Sequence, residues 1–167
     1  YLGRQDKWFL GGGNRLIWTP PFPEWPTTPG FWDKAHYYNY ELAPVFTWTL
    51  LDESGVELPL LPGSKDWNPS RLRQNYQTSG FKLTEEKCCL PEDTLASEVR
   101  IRNTSGKERK IHFIAWTVQP NARSTQTNCL TDLMYENNRI LFTKNLKIAG
   151  PPFQFACAFG IEPKAVS

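Results

Sequence analysis

From Trp18 to Tyr40 the chain sets three of its seven tryptophans and three of its six tyrosines among five of its fourteen prolines. The run reads Trp18-Thr-Pro-Pro-Phe-Pro-Glu-Trp25-Pro-Thr-Thr-Pro-Gly-Phe-Trp32-Asp-Lys-Ala-His-Tyr37-Tyr38-Asn-Tyr40. Proline fixes φ and removes a backbone donor, which excludes this stretch as regular helix or central strand. Large rings on a stiff loop have two uses. They present flat contact surfaces at little rotamer cost, or they wrap and cover a core. Sequence alone leaves both readings open.

Outside that run, strand signals dominate and helical periodicity is nearly absent. Lys7–Leu10 and Arg15–Thr19 flank Gly11-Gly-Gly-Asn14, a hairpin signal because Gly and Asn tolerate positive φ. Val45–Leu51 alternates, turns at Asp52-Glu-Ser-Gly55 and returns through Val56–Leu58. Pro59–Gln74 reads as a loop, and Gly80–Cys89 as a strand ended by Pro91. Thr94–Arg102 puts Leu95, Val99 and Ile101 on one face and Glu98, Arg100 and Arg102 on the other. Asn103-Thr-Ser-Gly106 turns the chain, and Lys110–Val118 returns to complete the pair. That return is apolar on both faces, so it is expected to be central and covered on both sides. A further hairpin is expected over Met134–Phe142 and a last strand over Phe153–Phe159, with short helical turns only at 69–75 and 128–133. Strands recurring between turn signals predict an all-β fold, an antiparallel two-sheet β-sandwich with little helix.

A chain of 167 residues fits one sandwich domain over 1–167, with a core large enough to need no staples. No repeat or linker divides it. The net charge of +2 is small and dispersed, which argues against nucleic acid. No apolar run approaches the ~18–20 residues that span a bilayer, so no membrane partner is expected. The start, Tyr1-Leu-Gly-Arg, lacks both an initiator Met and a signal peptide's pattern, and reads as a trimmed chain or a fragment. Cys88, Cys89, Cys129 and Cys157 form no C-x-x-C pair, and adjacent Cys88 and Cys89 are poorly placed for a mutual disulfide. Free, partly buried thiols favour a reducing compartment such as the cytoplasm; secretion stays open if a signal was removed. No metal or cofactor pattern is present.

Motifs for chemistry are sparse. Gly11–Gly13 lacks the Lys-Ser/Thr of a phosphate loop, and no G-x-S-x-G elbow occurs. His112 is expected to be a core or rim residue, and His36 a surface one. Glycoside hydrolysis needs two carboxylates at a defined separation, and Glu24, Asp33, Asp66, Glu92 and Asp93 are loop candidates. Nothing pairs them. Asp52-Glu53 and Glu85-Glu86 read as turn and edge-strand solubility residues.

The strand Leu95–Arg102, its Asn103-Thr-Ser-Gly106 turn, the basic run after it and the apolar strand to Gln119 resemble part of a known architecture. It is the N-terminal β-sandwich, or supersandwich, of enzymes whose catalytic domain is an (α/α)6 barrel. These include cellobiose-phosphorylase-like, glucoamylase-like and glycogen-debranching-like proteins, and the sandwich is similar to that of galactose mutarotases. Phe46–Gly55 resembles the early hairpin of that family, Trp67–Gln77 the loop to its next strand, and Phe155–Gly160 a later strand. The resemblance implies a chain shorter than the complete supersandwich, with an edge or face left for a partner. Such enzymes carry their acid and base on the barrel, so no catalytic residue is implied here.

The resemblance implies a non-catalytic accessory domain of a carbohydrate-active enzyme, with an oligo- or polysaccharide, a catalytic (α/α)6 domain or a second copy as partner. Trp25, Trp32, Tyr37 and Tyr38 are then the candidate stacking rings, and Asp33 and Asn39 the hydrogen-bonding groups. A pyranose face of C–H groups suits an aromatic plane, while its hydroxyl rim needs polar neighbours. Two alternatives remain: a protein-assembly module using the same rings as an interface, and a small mutarotase-like or glycosidase enzyme.

Overall fold

The structure, a computed structural model, describes residues 17–19, 27–32, 35–37, 40–42, 45–118, 129–137, 139–146 and 153–163. Backbone contacts divide the chain into two units, Tyr1–Thr117 and Val118–Ser167. Among the described residues there is no helix, and all strand pairing is antiparallel, as the alternating pattern requires.

The first unit begins with three short strands, β1 (Ile17–Trp18), β2 (Ala35–Tyr37) and β3 (Tyr40–Leu42). Six more follow: β4 (Thr47–Asp52), β5 (Leu61–Asn68), β6 (Arg71–Thr78), β7 (Phe81–Leu90), β8 (Thr94–Asn103) and β9 (Ile111–Trp116). β5 to β8 form a four-stranded meander, while β4 and β9 pair as a second sheet. The two sheets share a core of Trp48, Leu50, Leu58, Tyr76, Phe81 and Leu83, with Phe113 and Ala115 of β9 packed against it. A second cluster joins Phe31 and Leu72 to Val45, Phe46, Trp67 and Leu95. Alternation explains which side chains enter: Leu72, Gln74 and Tyr76 of β6 and Phe81, Leu83, Glu85 and Lys87 of β7 all point inward.

Turn chemistry matches the sequence. Asp52 Oδ1 accepts from the backbone N–H of Ser54 and Val56 and from the Ser54 hydroxyl, and Leu58 N–H returns to the carbonyl of Leu50. Asn103 Oδ1 likewise accepts from the Ser105 backbone and hydroxyl. The strand reading of Gly80–Cys89 holds as β7, and Leu95 and Val99 face the core as expected.

Several expectations are corrected. Pro59–Gln74 is not a loop: it holds β5, a turn at Asn68–Arg71 and the start of β6. The proline that argued for a loop, Pro62, sits at a register shift between Pro62 and Lys65, on a strand with one paired neighbour among the described residues. An edge strand with a bulge tolerates a missing donor. The helical turn expected at 69–75 is the opening of β6, and that at 128–133 falls on a strand from Cys129 onward. Thr94–Asn103 does not pair with the strand that follows. β9 crosses to the other sheet and pairs with β4, Thr47 opposite Trp116 and Leu51 opposite His112. Nor is β9 covered on both sides: His112, Ile114 and Trp116 are exposed. Within the Pro-rich run, Ala35–Tyr37 is a central strand between β1 and β3, because the last proline of the run is Pro29. The Gly11–Asn14 hairpin lies outside the described residues.

In the second unit β10 (Cys129–Glu136), β11 (Arg139–Leu146) and β12 (Phe153–Gly160) form a three-stranded sheet in that order. The expected hairpin and last strand are both there, with Asn137 at φ 50° in the turn.

One backbone position in the first unit admits only glycine. Gly30 has φ +68°, and a Cβ there would lie 2.8 Å from the Phe46 carbonyl oxygen and 2.9 Å from the Thr47 Cα. Left-handed backbone costs a non-glycine residue about 1–2 kcal/mol, and the clash with main chain adds to it. Gly30→Ala is therefore expected to destabilise the first unit by about 2 kcal/mol or more, read as a lower urea midpoint at unchanged slope.

Candidate functional site

The Phe31-Trp32 dipeptide runs beside the start of β4. Phe31 bridges to Phe46, and its carbonyl accepts from the N–H of Val45 and Phe46. In extended backbone, successive side chains point to opposite sides. Phe31 turns inward and is sealed in the second cluster, its ring 5.6 Å from that of Phe46. Trp32 is half-buried and meets Trp116 of β9 with ring centroids 5.0 Å apart and planes tilted by 58°.

Trp116 belongs to the outer face of the β4–β9 sheet. Register places Thr47 beside Trp116, Thr49 beside Ile114 and Leu51 beside His112 on that face. Trp116 and Ile114 keep 39% and 40% of their surface in solvent. Glu57, bridged to Leu51, accepts a 2.8 Å hydrogen bond from the Thr49 hydroxyl through Oε1. The face is thus an open strip, apolar at Trp32, Trp116 and Ile114 and edged by Thr49, Glu57 and His112. From Trp116 to His112 it runs about 14 Å along the strand.

Of the rings and polar groups singled out from sequence, Trp32 is the one whose side chain is described, and the structure brings it to this face. Trp25, Asp33, Tyr38 and Asn39 lie outside the described residues. Tyr37 is described by its backbone, in β2 opposite Ile17 and Tyr40. His36 is its neighbour in that strand. Trp116, Glu57 and His112 are the residues that reasoning from the sequence did not gather. The even positions 112, 114 and 116 of β9 carried the signal, hidden because the odd positions are apolar as well.

Beneath the strip lies a buried polar node that the sequence reading placed at an edge. Glu85 is fully buried on an interior strand, not a solubility residue. Its Oε1 accepts from the backbone N–H of Gly30 at 2.8 Å, the indole N–H of Trp48 at 2.8 Å and the Ser97 hydroxyl at 2.5 Å. Its Oε2 accepts from the Tyr76 hydroxyl at 3.1 Å and faces Lys87 Nζ at 3.6 Å. Lys87, only 1% exposed, donates to the Thr28 carbonyl at 3.0 Å. The signal was the alternation itself, because Phe81 and Leu83 point inward and Glu85 and Lys87 continue the same face.

Among the described residues no second carboxylate is bonded to Glu85, and the remaining acids are scattered or engaged. Asp66 is exposed and ion-paired with Arg71 at 3.4 Å, Glu92 is exposed, and Asp93 sits in the β7–β8 turn at φ 55°; Glu24 and Asp33 lie outside the described residues. An open depression of about 430 Å3 is lined by Asp52, Glu53, Ser54, Glu108, Arg109 and Lys110. Its Asp52 carboxyl is held below the usual range by the Ser54 hydroxyl and the Val56 amide, so turn closure already occupies it. Cys88, Cys89 and Cys157 are thiols rather than disulfides, and burial pushes the Cys89 thiol up to about 11, away from nucleophilic chemistry. Among the described residues no three His, Cys, Asp or Glu side chains gather as a metal site.

The node makes stability depend on alkaline pH. Burial first, then the Glu85 charge and the hydrogen bond to it, raise the Tyr76 pKa well above its ordinary value of 10. The unfolded chain loses this proton near pH 10 while the folded chain keeps it. The associated stabilisation is complete below pH 10 and declines as pH rises beyond it, by about 1.4 kcal/mol per unit. Tyr76→Phe is expected to lower stability at pH 7, by about 1.5–3 kcal/mol for a lost bond to a charged group, and to flatten the decline above pH 10. Urea unfolding from pH 7 to 11 reads both effects. No family model, curated protein or solved structure matches this chain.

Proposed function

We propose that this chain is a non-catalytic, carbohydrate-binding β-sandwich of a carbohydrate-active enzyme, contacting oligo- or polysaccharide along the outer face of β4 and β9. The observation that carries the reading is the Trp32–Trp116 ring pair on a half-open face edged by Thr49, Glu57 and His112. Stacked C–H faces of sugars need such rings, and ring hydroxyls need such neighbours. An open strip covers one side of its ligand, so the contact must be long, which favours a chain of sugars over a single ring. The strand-turn-strand resemblance at 95–119 supports a place beside an (α/α)6 catalytic domain. The scattered acids give no support to a glycosidase or mutarotase in this chain.

Native affinity electrophoresis through gels containing soluble α- or β-glucans tests the reading. Retardation by at least one glucan is expected, and Trp116→Ala or Trp32→Ala should weaken it about five- to thirty-fold, the equivalent of one or two kcal/mol. Unchanged mobility on every glucan would remove the proposal.

A second reading is favoured by one observation: Ile114 and Trp116 lie on the same outer face of β9, 40% and 39% exposed. Contiguous exposed apolar residues mark protein interfaces as well as sugar sites. Size-exclusion chromatography with light scattering discriminates: a dimer that Trp116→Ala returns to monomer supports assembly, and a concentration-independent monomer opposes self-association.

A further inference from the structure

Four consecutive residues ahead of Trp32 are anchored through their main chain. The Thr28 carbonyl accepts from Lys87 Nζ at 3.0 Å, and the Pro29 carbonyl accepts from the Thr47 hydroxyl at 2.8 Å. The Gly30 N–H donates to Glu85 Oε1 at 2.8 Å, and the Phe31 carbonyl accepts from Val45 and Phe46. Phe31 is the plug, 1% exposed, and the Lys87 ammonium sits 5.9 Å from its ring centroid. We infer that Glu85, Lys87 and Thr47 are positioning residues for Trp32, a clamp on the main chain of 28–30 that fixes where the Trp32 ring meets Trp116 in the binding strip.

The chemistry of the clamp explains why charge is kept in this core. A buried ion pair is a poor source of stability, since well-packed apolar side chains of similar volume often do as well or better. An apolar side chain cannot fix the register of a neighbouring main chain. A carboxylate can, because it accepts from several directions at once, and Glu85 unites Gly30, β4, β6 and β8 on two oxygens. Lys87 then takes the adjacent carbonyl, and Thr47 the one between. Phe31 faces in, so Trp32 must face out, and its placement is set by those three bonds.

The inference rests on the sugar-binding reading of Trp32, and the test separates the two. Glu85→Ala would strand a buried ammonium and risks unfolding, so the variants are Lys87→Met and Thr47→Val, with Thr47→Ser as the conservative control. Amide hydrogen exchange by mass spectrometry is read at 28–32 and, as reference, across β6–β8, alongside mobility in glucan gels. The expected result is exchange at 28–32 at least tenfold faster in both variants, β6–β8 unchanged and glucan affinity reduced at least fivefold. Thr47→Ser should restore both. Unchanged exchange at 28–32, loss of protection spread equally over β6–β8, or glucan affinity untouched by the released segment would each overturn the inference. If the wild type binds no glucan while 28–32 still loosens selectively, the sugar reading falls and the main-chain clamp stands.

Discussion

A carboxylate taken from water into a protein core demands compensation for every lone pair, and Glu85 receives it from four separate parts of the first unit. Backbone N–H, indole N–H, two hydroxyls and an ammonium converge on its two oxygens. Any one of them would leave the charge underserved; together they make it the joint at which β4, β6, β7, β8 and the 28–30 segment agree on position. The two apolar clusters lie around this joint, with Trp48 and Tyr76 in one and Phe31 and Leu72 in the other. Trp48 serves both roles, packing edge-on to Tyr76 and stacked on Phe113 while its nitrogen serves the carboxylate.

The connection from β8 to β9 completes the sandwich. Asn103 closes the turn through its side chain, and Arg109 lies over the Phe81 ring while donating to the Ser79 carbonyl. The crossing loop is thereby tied to the β6–β7 hairpin before the chain enters the second sheet. β9 then packs Phe113 and Ala115 inward and turns Ile114 and Trp116 outward. The same strand that seals the core supplies the strip on which the functional proposal rests.

β4, β7, β8, the β10–β11 hairpin, β12 and the turns at Asp52–Gly55 and Asn103–Gly106 were legible because alternation and Asn, Asp and Gly signals are local properties. β5, the opening of β6, the central place of β2 and the pairing of β9 with β4 were not. Pro62 misled because the local rule against proline assumes an interior strand, and edge position is a tertiary fact. β9 misled for a related reason: its two faces are nearly equal in hydropathy, so pattern could not say which one meets solvent. Glu85 was hidden by its neighbour. Two adjacent glutamates read as a solvated pair, yet pleating sends Glu85 inward and Glu86 outward to Arg73 at 2.9 Å. Of the candidate site, Trp32 could be seen as an aromatic on a stiff segment, but its partner Trp116 is 84 positions later in sequence and needed the β4–β9 pairing to arrive.

The irregular stretch of β5 has a consequence for life at high concentration. A long, straight border strand is a template on which another chain can grow, the first step toward fibrils. Here that border carries Pro62 without a donor and a bulge before Lys65, which break the even spacing of free amides a newcomer would need. On the opposite border, Glu98, Arg100 and Arg102 add charge where a stacking strand would have to desolvate it. The four-stranded sheet is therefore poorly suited to lateral propagation at either margin.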